Sequence, residues 1–357
     1  MDSLLATDQP LLACVSGGAG RLTLNRPEAL HALTTDMCQT FTDVLSRWEP
    51  DDQVKLVMID HAPQTRGFCA GGDIRAVAES ARMARSGLGD AAAARAFFRT
   101  EYRLNTRIKY YSKPYVAFMD GIVMGGGAGI SVHGAYRIAT ENTLFAMPET
   151  GIGLFPDVGG GWFLPRLKGE LGMWLALTGE RLRGADVKAA GIATHFVASG
   201  DLPALKAELA AAPEDIEAIL ARYDRPAGLP SYTEHTEAIN RIFGKPTLTD
   251  IALDLKLEDS DWAQHQGEVL ATRSPLSLTV AHRQLREGRT LTRFEDVMRM
   301  EYRLACRMCQ SNDFIEGVRA LLEEKDMSPR WSPVSIGCVS SSVVDQMFMP
   351  LEQELYD

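Results

Sequence analysis

The chain has 357 residues, of which 45% are hydrophobic and 24% charged, and its formal net charge is −10. This length suits one large domain or two ordinary ones. The negative net charge argues against a nucleic-acid partner. A local basic patch can still bind an anionic ligand. The six cysteines are scattered, the N-terminus shows no targeting pattern, and no apolar run reaches the ~18 residues of a membrane span. We therefore expect a cytoplasmic protein with free thiols and no membrane partner.

The first two hundred residues alternate strand patterns with helix patterns. Two short apolar segments separated by a glycine-rich loop predict a hairpin, and Thr34 can cap a helix that runs to about Trp48. Strands are predicted at 11–15, 21–25, 54–59 and 115–119, a helical stretch at 74–110, and short strand or loop candidates at 144–146, 151–156 and 192–196. Such alternation predicts an α/β fold with a largely parallel sheet.

Strand patterns nearly vanish after residue 200. Segments 202–223, 274–287 and 294–308 carry apolar residues at helical spacing. We therefore divide the chain into a sheet-based core, 1–200, and a helical C-terminal region, 201–357.

Two glycine-rich loops each follow a buried strand. One is Gly67–Asp73 and the other contains Gly125, Gly126 and Gly127. Ligands collect outside the carboxyl ends of parallel strands, so these loops could together offer two backbone N–H donors to one carbonyl oxygen. The alternative is a pair of turns in which glycine is needed only for packing.

A third stretch, 147–161, places Glu149 and Asp157 among apolar, glycine and proline residues. Desolvation should raise the pKa of a carboxyl group there and suit it to acid–base work, and a carboxylate can also attack a thioester directly. From spacing alone a structural interpretation is favoured, in which Asp157 caps a helix beginning near Val158 and Glu149 pairs with an arginine.

Cys306 and Cys309 stand one helical turn apart, without the further ligands that a zinc site needs. No HExxH pattern exists among the seven histidines. We therefore expect two core or surface thiols at these positions and no metal.

These motifs resemble the enoyl-CoA hydratase/isomerase (crotonase) superfamily, and within it the 3-hydroxyisobutyryl-CoA hydrolase branch, over nearly the whole chain. The residues that carry the resemblance are Phe68-Cys69-Ala70-Gly71-Gly72-Asp73, Asp120-Gly121, Met124-Gly125-Gly126-Gly127, Ser131-Val132-His133-Gly134, the run from Phe145 through Gly161, 190–196, 273–278, 313–320 and Lys325-Asp326 with Pro329-Arg330-Trp331.

The resemblance implies a crotonase-like spiral of ββα units with a helical C-terminal region. It implies an oxyanion hole made by the amides of Gly72 and Gly126, catalytic carboxylates at Glu149 and Asp157, and a substrate position at Glu101. Glu101, Gly126, Glu149 and Asp157 would then contact the substrate. The expected activity is hydrolysis of 3-hydroxyisobutyryl-CoA, and of 3-hydroxypropionyl-CoA, in valine catabolism. The acyl-CoA is the small-molecule partner, no cofactor is expected, and the superfamily's habit predicts a homo-oligomer, a trimer or hexamer.

One departure from the hydratase pattern separates the alternatives. Hydratases use two glutamates on one water, and the position of the first is Gly129 here, whereas Asp157 adds a carboxylate elsewhere. This exchange favours hydrolysis over an enoyl-CoA hydratase or isomerase. A third alternative is a non-catalytic CoA-binding or scaffold protein. Arg26 is a candidate for the coenzyme's phosphates, and equally an ordinary exposed arginine.

Overall fold

The protein is described from a computed structural model, which gives residues 2–3, 9–63 and 65–356. Its strands are β1 (Asp2–Ser3), β2 (Leu11–Ser16), β3 (Ala19–Leu24), β4 (Leu56–His61), β5 (Gly67–Cys69), β6 (Tyr115–Met119), β7 (Ile122–Met124), β8 (Tyr136–Ala139), β9 (Leu144–Ala146), β10 (Leu182–Arg183) and β11 (His195–Phe196). Its helices are α1 (Thr35–Trp48), α2 (Ile74–Arg85), α3 (Ala92–Lys109), α4 (Gly126–Gly129), α5 (Gly160–Phe163), α6 (Leu171–Thr178), α7 (Ala185–Ala189), α8 (Leu202–Ala211), α9 (Ile216–Tyr223), α10 (Thr236–Phe243), α11 (Leu248–Leu257), α12 (Asp261–Ala271), α13 (Pro275–Thr290), α14 (Phe294–Met308), α15 (Asn312–Val318) and α16 (Ser341–Phe348).

The chain divides into two compact units. The sheet unit comprises Met1–Gly72, Arg103–Phe145 and Arg181–Ser231, and the helical unit comprises Asp73–Tyr102, Ala146–Glu180 and Tyr232–Asp357. Both units draw on the chain before and after residue 200. The predicted division at that residue marks where strands give way to helices, and as a domain boundary it stays a prediction.

The sheet unit holds two sheets. Seven strands pair in the order β1-β2-β3-β4-β6-β8-β11, and four pair in the order β10-β9-β7-β5. In the larger sheet every neighbour from β3 to β11 is parallel, which confirms the expected parallel arrangement. Along the chain a strand of the larger sheet is followed by one of the smaller sheet and then a helix, as in β4-β5-α2 and β6-β7-α4. This order is the expected ββα repeat.

The core of the sheet unit lies under α8 and α9. Both helices turn apolar faces to the larger sheet and bury the side chains of β3, β4, β6 and β8 there. The buried cluster includes Leu56, Met58, Val116, Phe118, Ile138, Leu205, Leu209, Ile219 and Leu220. The first two helices after residue 200 therefore belong to the sheet's core.

In the helical unit, side-chain caps fix the first residues of α13 and α15. Ser274 accepts a hydrogen bond from the Ser277 amide at the start of α13, where Pro275 occupies the first turn, and Ser311 accepts one from Phe314 at the start of α15. Among the described residues no helix is long and apolar enough to cross a membrane.

The structure corrects several predicted boundaries. The stretch 74–110 forms two helices, because Gly87 (φ 72°) and Ala91 (φ 59°) break the helical backbone between α2 and α3. Segment 151–156 was predicted as a short strand or a loop, and the structure shows the loop, which follows the 3₁₀ turn Glu149–Ile152. The helix capped by Thr34 and the strand Tyr115–Met119 are confirmed.

Candidate active site

In the sheet unit, the two glycine-rich loops leave neighbouring strands. β5 and β7 pair in parallel, so Gly71 and Gly72 emerge beside Gly125 and Gly126. A Cβ added to Gly71 would lie 3.9 Å from the amide nitrogen of Gly126. In the part of the chain that the structure describes, neither the Gly72 amide nor the Gly126 amide donates a hydrogen bond. Two donors are thus available at one edge of the smaller sheet.

The two loops approach so closely that the residue after Gly126 must be a glycine, Gly127. A Cβ there would stand 2.2 Å from the Cys69 carbonyl oxygen and 2.9 Å from its Cβ. Only glycine lets α4 begin against β5 at this separation, because a methyl group cannot occupy that space.

Replacing Gly127 with Ala is expected to lower the free energy of unfolding by about 1–3 kcal/mol, because the added methyl forces the loops apart. The thermal unfolding midpoint followed by circular dichroism measures this change. Gly200→Ala is the matched control, since nothing lies within 4 Å of its added Cβ. Equal midpoints for the two variants would contradict the close approach.

In the helical unit, Glu149 opens the 3₁₀ turn Glu149–Ile152 that follows β9. Backbone contacts hold this turn. The Ser274 amide donates a hydrogen bond to the Thr150 carbonyl. Gly153 packs directly against the backbone of Asp313, because a Cβ on Gly153 would lie 2.2 Å from it. The Glu149 side chain is 5% exposed, and its Oε2 has no hydrogen-bond partner.

Asp157 lies eight residues further on, in a turn before α5. Its side chain is 5% exposed, and its Oδ2 accepts a 2.8 Å hydrogen bond from the Tyr102 hydroxyl. The backbone after it is strained at Val158, which has φ 51°, whereas Gly159 adopts its φ of 88° without strain. A β-branched residue rarely adopts this conformation, so surrounding contacts must hold it.

Four buried acids form what we call the carboxyl cluster, namely Glu101, Glu149, Asp157 and Glu301. Among the described ion pairs none involves any of the four. Glu101 Oε1 and Glu149 Oε2 are buried without hydrogen-bond partners. Buried polar atoms without partners cost free energy and concentrate where a protein binds substrate or water.

Burial raises the pKa of every member of the cluster. The pKa of Asp157 rises to about 6, although the hydrogen bond from Tyr102 opposes the rise, and that of Glu301 rises to about 8. Burial and then the charge of Asp157 raise the pKa values of Glu101 and Glu149 well above the ordinary range. Asp157 therefore ionises first, and its charge holds the proton on its neighbours.

The structural alternatives for these residues are wrong. The N-cap of α5 is Gly159, without a side-chain cap, and Glu149 has no arginine partner among the described ion pairs. Cys306 and Cys309 are free thiols, as predicted, and both are buried. Arg26 donates to the Ala32 carbonyl, pairs with Glu28 and is only partly exposed, and its contact with the coenzyme's phosphates stays a prediction. No metal-binding group of three His, Cys, Asp or Glu occurs among the described residues.

Sequence reasoning missed Tyr102 and Glu301. A signal existed for Glu301, because it interrupts an apolar stripe on α14 that includes Val297 and Leu304. An acid at such a position must find buried partners. Tyr102 gave no comparable signal, since a tyrosine on a helix face is an ordinary core residue.

Comparison with known proteins fits this geometry. A family model described as enoyl-CoA hydratase/isomerase matches residues 19–348. The chain belongs to this family. Two relatives are named 3-hydroxyisobutyryl-CoA hydrolase, mitochondrial: that of Danio rerio is 46% identical over 94% of this chain and 88% of its own, and that of Homo sapiens is 44% identical over 94% and 87%. Those names place the relatives in mitochondria, so the cytoplasmic location expected here stays a prediction.

Solved structures confirm the fold class. A carnitinyl-CoA dehydratase from Mycobacterium thermoresistibile has a TM-score of 0.91 at 39% identity and covers 98% of this chain and 99% of its own. An enoyl-CoA hydratase from Rhodobacter sphaeroides 2.4.1 has a TM-score of 0.88 at 38% identity, with coverages of 98% and 100%. The expected crotonase fold, with mixed sheets and a helical C-terminal region, is therefore confirmed.

Proposed function

We propose that this chain hydrolyses the thioester of 3-hydroxyisobutyryl-CoA to the free acid and coenzyme A, a reaction of valine catabolism. One observation carries the proposal: Glu149 and Asp157 are buried together without a cation, and Glu149 keeps an oxygen without a partner. Carboxyl groups held at raised pKa suit acid–base or nucleophilic work on an acyl group. The relatives named as hydrolases of this substrate support the choice of acyl chain.

The thioester carbonyl oxygen accepts hydrogen bonds from the amides of Gly72 and Gly126. Both donors lack a partner in the described chain, so they can serve the oxyanion that develops when the carbonyl carbon becomes tetrahedral. One such donor is worth roughly 3 kcal/mol in the transition state. Coenzyme A leaves as a thiolate, a good leaving group, and this chemistry requires neither a metal nor an organic cofactor.

Glu149 acts by one of two routes. It attacks the carbonyl carbon, expels the thiolate and forms a mixed anhydride that water then cleaves, or it takes a proton from a water molecule that attacks instead. Asp157 and Glu101 position that water or the substrate's 3-hydroxyl. Hydroxylamine separates the routes, because it converts an anhydride on Glu149 to a hydroxamate that mass spectrometry of the protein detects.

A panel of acyl-CoA substrates tests the proposed reaction. We expect release of free thiol from both 3-hydroxyisobutyryl-CoA and 3-hydroxypropionyl-CoA. Their kcat/KM values should differ by no more than about 200-fold, since one methyl group discriminates by ~1–3 kcal/mol. Crotonyl-CoA should not be hydrated, because Gly129 offers no second carboxylate for the water. Faster hydration of crotonyl-CoA than hydrolysis would favour a hydratase, the activity named for the Rhodobacter structure. Absence of turnover of every substrate would favour a non-catalytic CoA-binding protein.

We also propose that the protein assembles as a trimer or a hexamer, the arrangement common in the superfamily. Light scattering of the purified chain, whose monomer mass is 39.1 kDa, distinguishes these states from a monomer. A monomer at micromolar concentration would contradict the proposal.

A further inference from the structure

Glu301 lies on α14 and receives three hydrogen bonds, two of them from the turn that follows Asp157. Its Oε2 accepts from the Gly159 amide at 2.7 Å, and its Oε1 accepts from the Gly161 amide at 2.8 Å. Gln284 on α13 donates from the same nitrogen to Glu301 Oε1 at 3.0 Å and to the Pro156 carbonyl at 2.7 Å. We call this arrangement of Glu301, Gln284 and the two amides the Glu301 clamp.

The clamp holds both ends of a strained turn. Pro156, Gly159 and Gly161 are the points of attachment, and Asp157 and the left-handed Val158 lie between them. A Cβ on Gly161 would approach Glu301 Oε1 to 3.1 Å, so the turn is packed tightly against the acid. Because a valine in the left-handed region is strained, the turn would relax and carry Asp157 with it if the clamp were released.

Glu301 is also an ionisable member of the carboxyl cluster. Its side chain is fully buried. The charge of Asp157 raises the pKa of Glu301, and the charge of Glu301 in turn raises the pKa values of Glu149 and Tyr102. Burial raises its pKa to about 8 although the two amides and Gln284 favour the carboxylate. Once ionised, it adds to the charge that holds the proton on Glu149.

We infer that Glu301 is a positioning residue for the proposed hydrolysis, and that it fixes the turn that presents Asp157. This role does not require Glu301 to touch the substrate. The inference rests on the proposed function, because the hydrolysis supplies its readout.

Two substitutions loosen the clamp in different ways. Glu301→Asp is one methylene too short to bind both amides, so kcat should fall by about 10²-fold, the usual cost of a 1 Å misplacement. Glu301→Gln keeps the length, but its amide nitrogen cannot accept a hydrogen bond from Gly159 or Gly161, so kcat should fall as well. In both variants the turn relaxes and the charge of Asp157 acts less on Glu149, so the acid limb of kcat/KM should move to lower pH. Steady-state kinetics from pH 5 to 9 measure both effects on the full chain.

Glu295→Gln on the same helix is the matched control, since Glu295 pairs with Arg293 at 3.6 Å at the start of α14, and we expect wild-type kinetics from it. A folded Glu301→Gln with an unmoved acid limb, at any kcat, would overturn the inference. If that variant does not fold, Gln284→Met serves instead. It removes one donor to Glu301 and the tie to Pro156, and the limb must again move to lower pH for the inference to stand.

Glu149→Gln, assayed beside these variants, keeps the two proposals distinguishable. Loss of hydrolysis in Glu149→Gln together with wild-type behaviour of Glu301→Gln would leave the proposed function intact and reject only the clamp. Full hydrolysis by Glu149→Gln would reject the proposed function itself.

Discussion

Replacing Glu149 with Gln is expected to lower kcat for 3-hydroxyisobutyryl-CoA by about 10²–10⁴-fold, the usual contribution of a general base. The amide has nearly the same shape and still fills the buried site, but it can neither accept a proton nor attack the thioester. Release of free thiol, followed at saturating substrate, measures the loss. Glu268→Gln, at an exposed glutamate of α12, is the control for removing an acid elsewhere.

The same variant should be at least as stable as the wild type. A carboxyl group whose pKa is raised in the folded protein binds its proton more tightly there than in the unfolded chain, so stability falls as the pH rises through the ordinary pKa towards the folded one. Glutamine removes that penalty at neutral pH. A large fall in the unfolding midpoint would mean that the lost activity reflects misfolding and would contradict the catalytic role.

Replacing Asp157 with Asn is expected to move the acid limb of kcat/KM to lower pH. After burial, the charge of Asp157 is the largest cause that raises the pKa of Glu149, and without that charge Glu149 ionises more easily. A neighbouring charge typically displaces a carboxyl pKa by about 1–3 units, which sets the expected size of the displacement. A limb that stays in place in Asp157→Asn would contradict the coupling.

Stability gives a second readout for this variant. The rise in the pKa of Asp157 from 3.8 to about 6 corresponds to ~3 kcal/mol of folding free energy, lost as the pH rises from 3.8 through 6. Asp157→Asn should therefore be more stable than the wild type at pH 7, and the advantage should vanish below pH ~4. Chemical unfolding at the two pH values measures it.

Replacing Tyr102 with Phe tests whether the tyrosine hydroxyl lowers the pKa of Asp157. The hydroxyl of Tyr102 stabilises the ionised form of Asp157, so its removal should raise the pKa of Asp157 above about 6. Titration of the Asp157 carboxyl by carbon-13 NMR measures this change. A lower pKa in Tyr102→Phe would show that the hydrogen bond does not favour the carboxylate.

Several features followed from local sequence. Thr34 caps α1 because its side chain accepts from an amide three residues later, a property of the chain around it. The strand Tyr115–Met119 is apolar throughout because a strand buried on both faces must be. The two glycine loops were expected to meet, since the carboxyl ends of parallel strands share an edge, and β5 and β7 place them there.

The roles of Glu149 and Asp157 were not decided by local pattern. Spacing alone favoured a helix cap and an ion pair, because caps and pairs are the commoner uses of such residues. The whole-chain resemblance pointed to catalysis, and the structure removed the alternatives by giving α5 a glycine cap and Glu149 no arginine among the described ion pairs.

The sequence by itself determined the fold class, the family and the identities of Glu149, Asp157, Gly72 and Gly126 as candidates, because each lies in a contiguous motif. Only the tertiary structure decided their electrostatics. Tyr102 meets Asp157 across 55 residues, and Glu301 meets Gly159 across 142. Hydrogen bonds and desolvation depend on distance in space, and a pKa is set by whatever packs around the group, so no local pattern could reveal them.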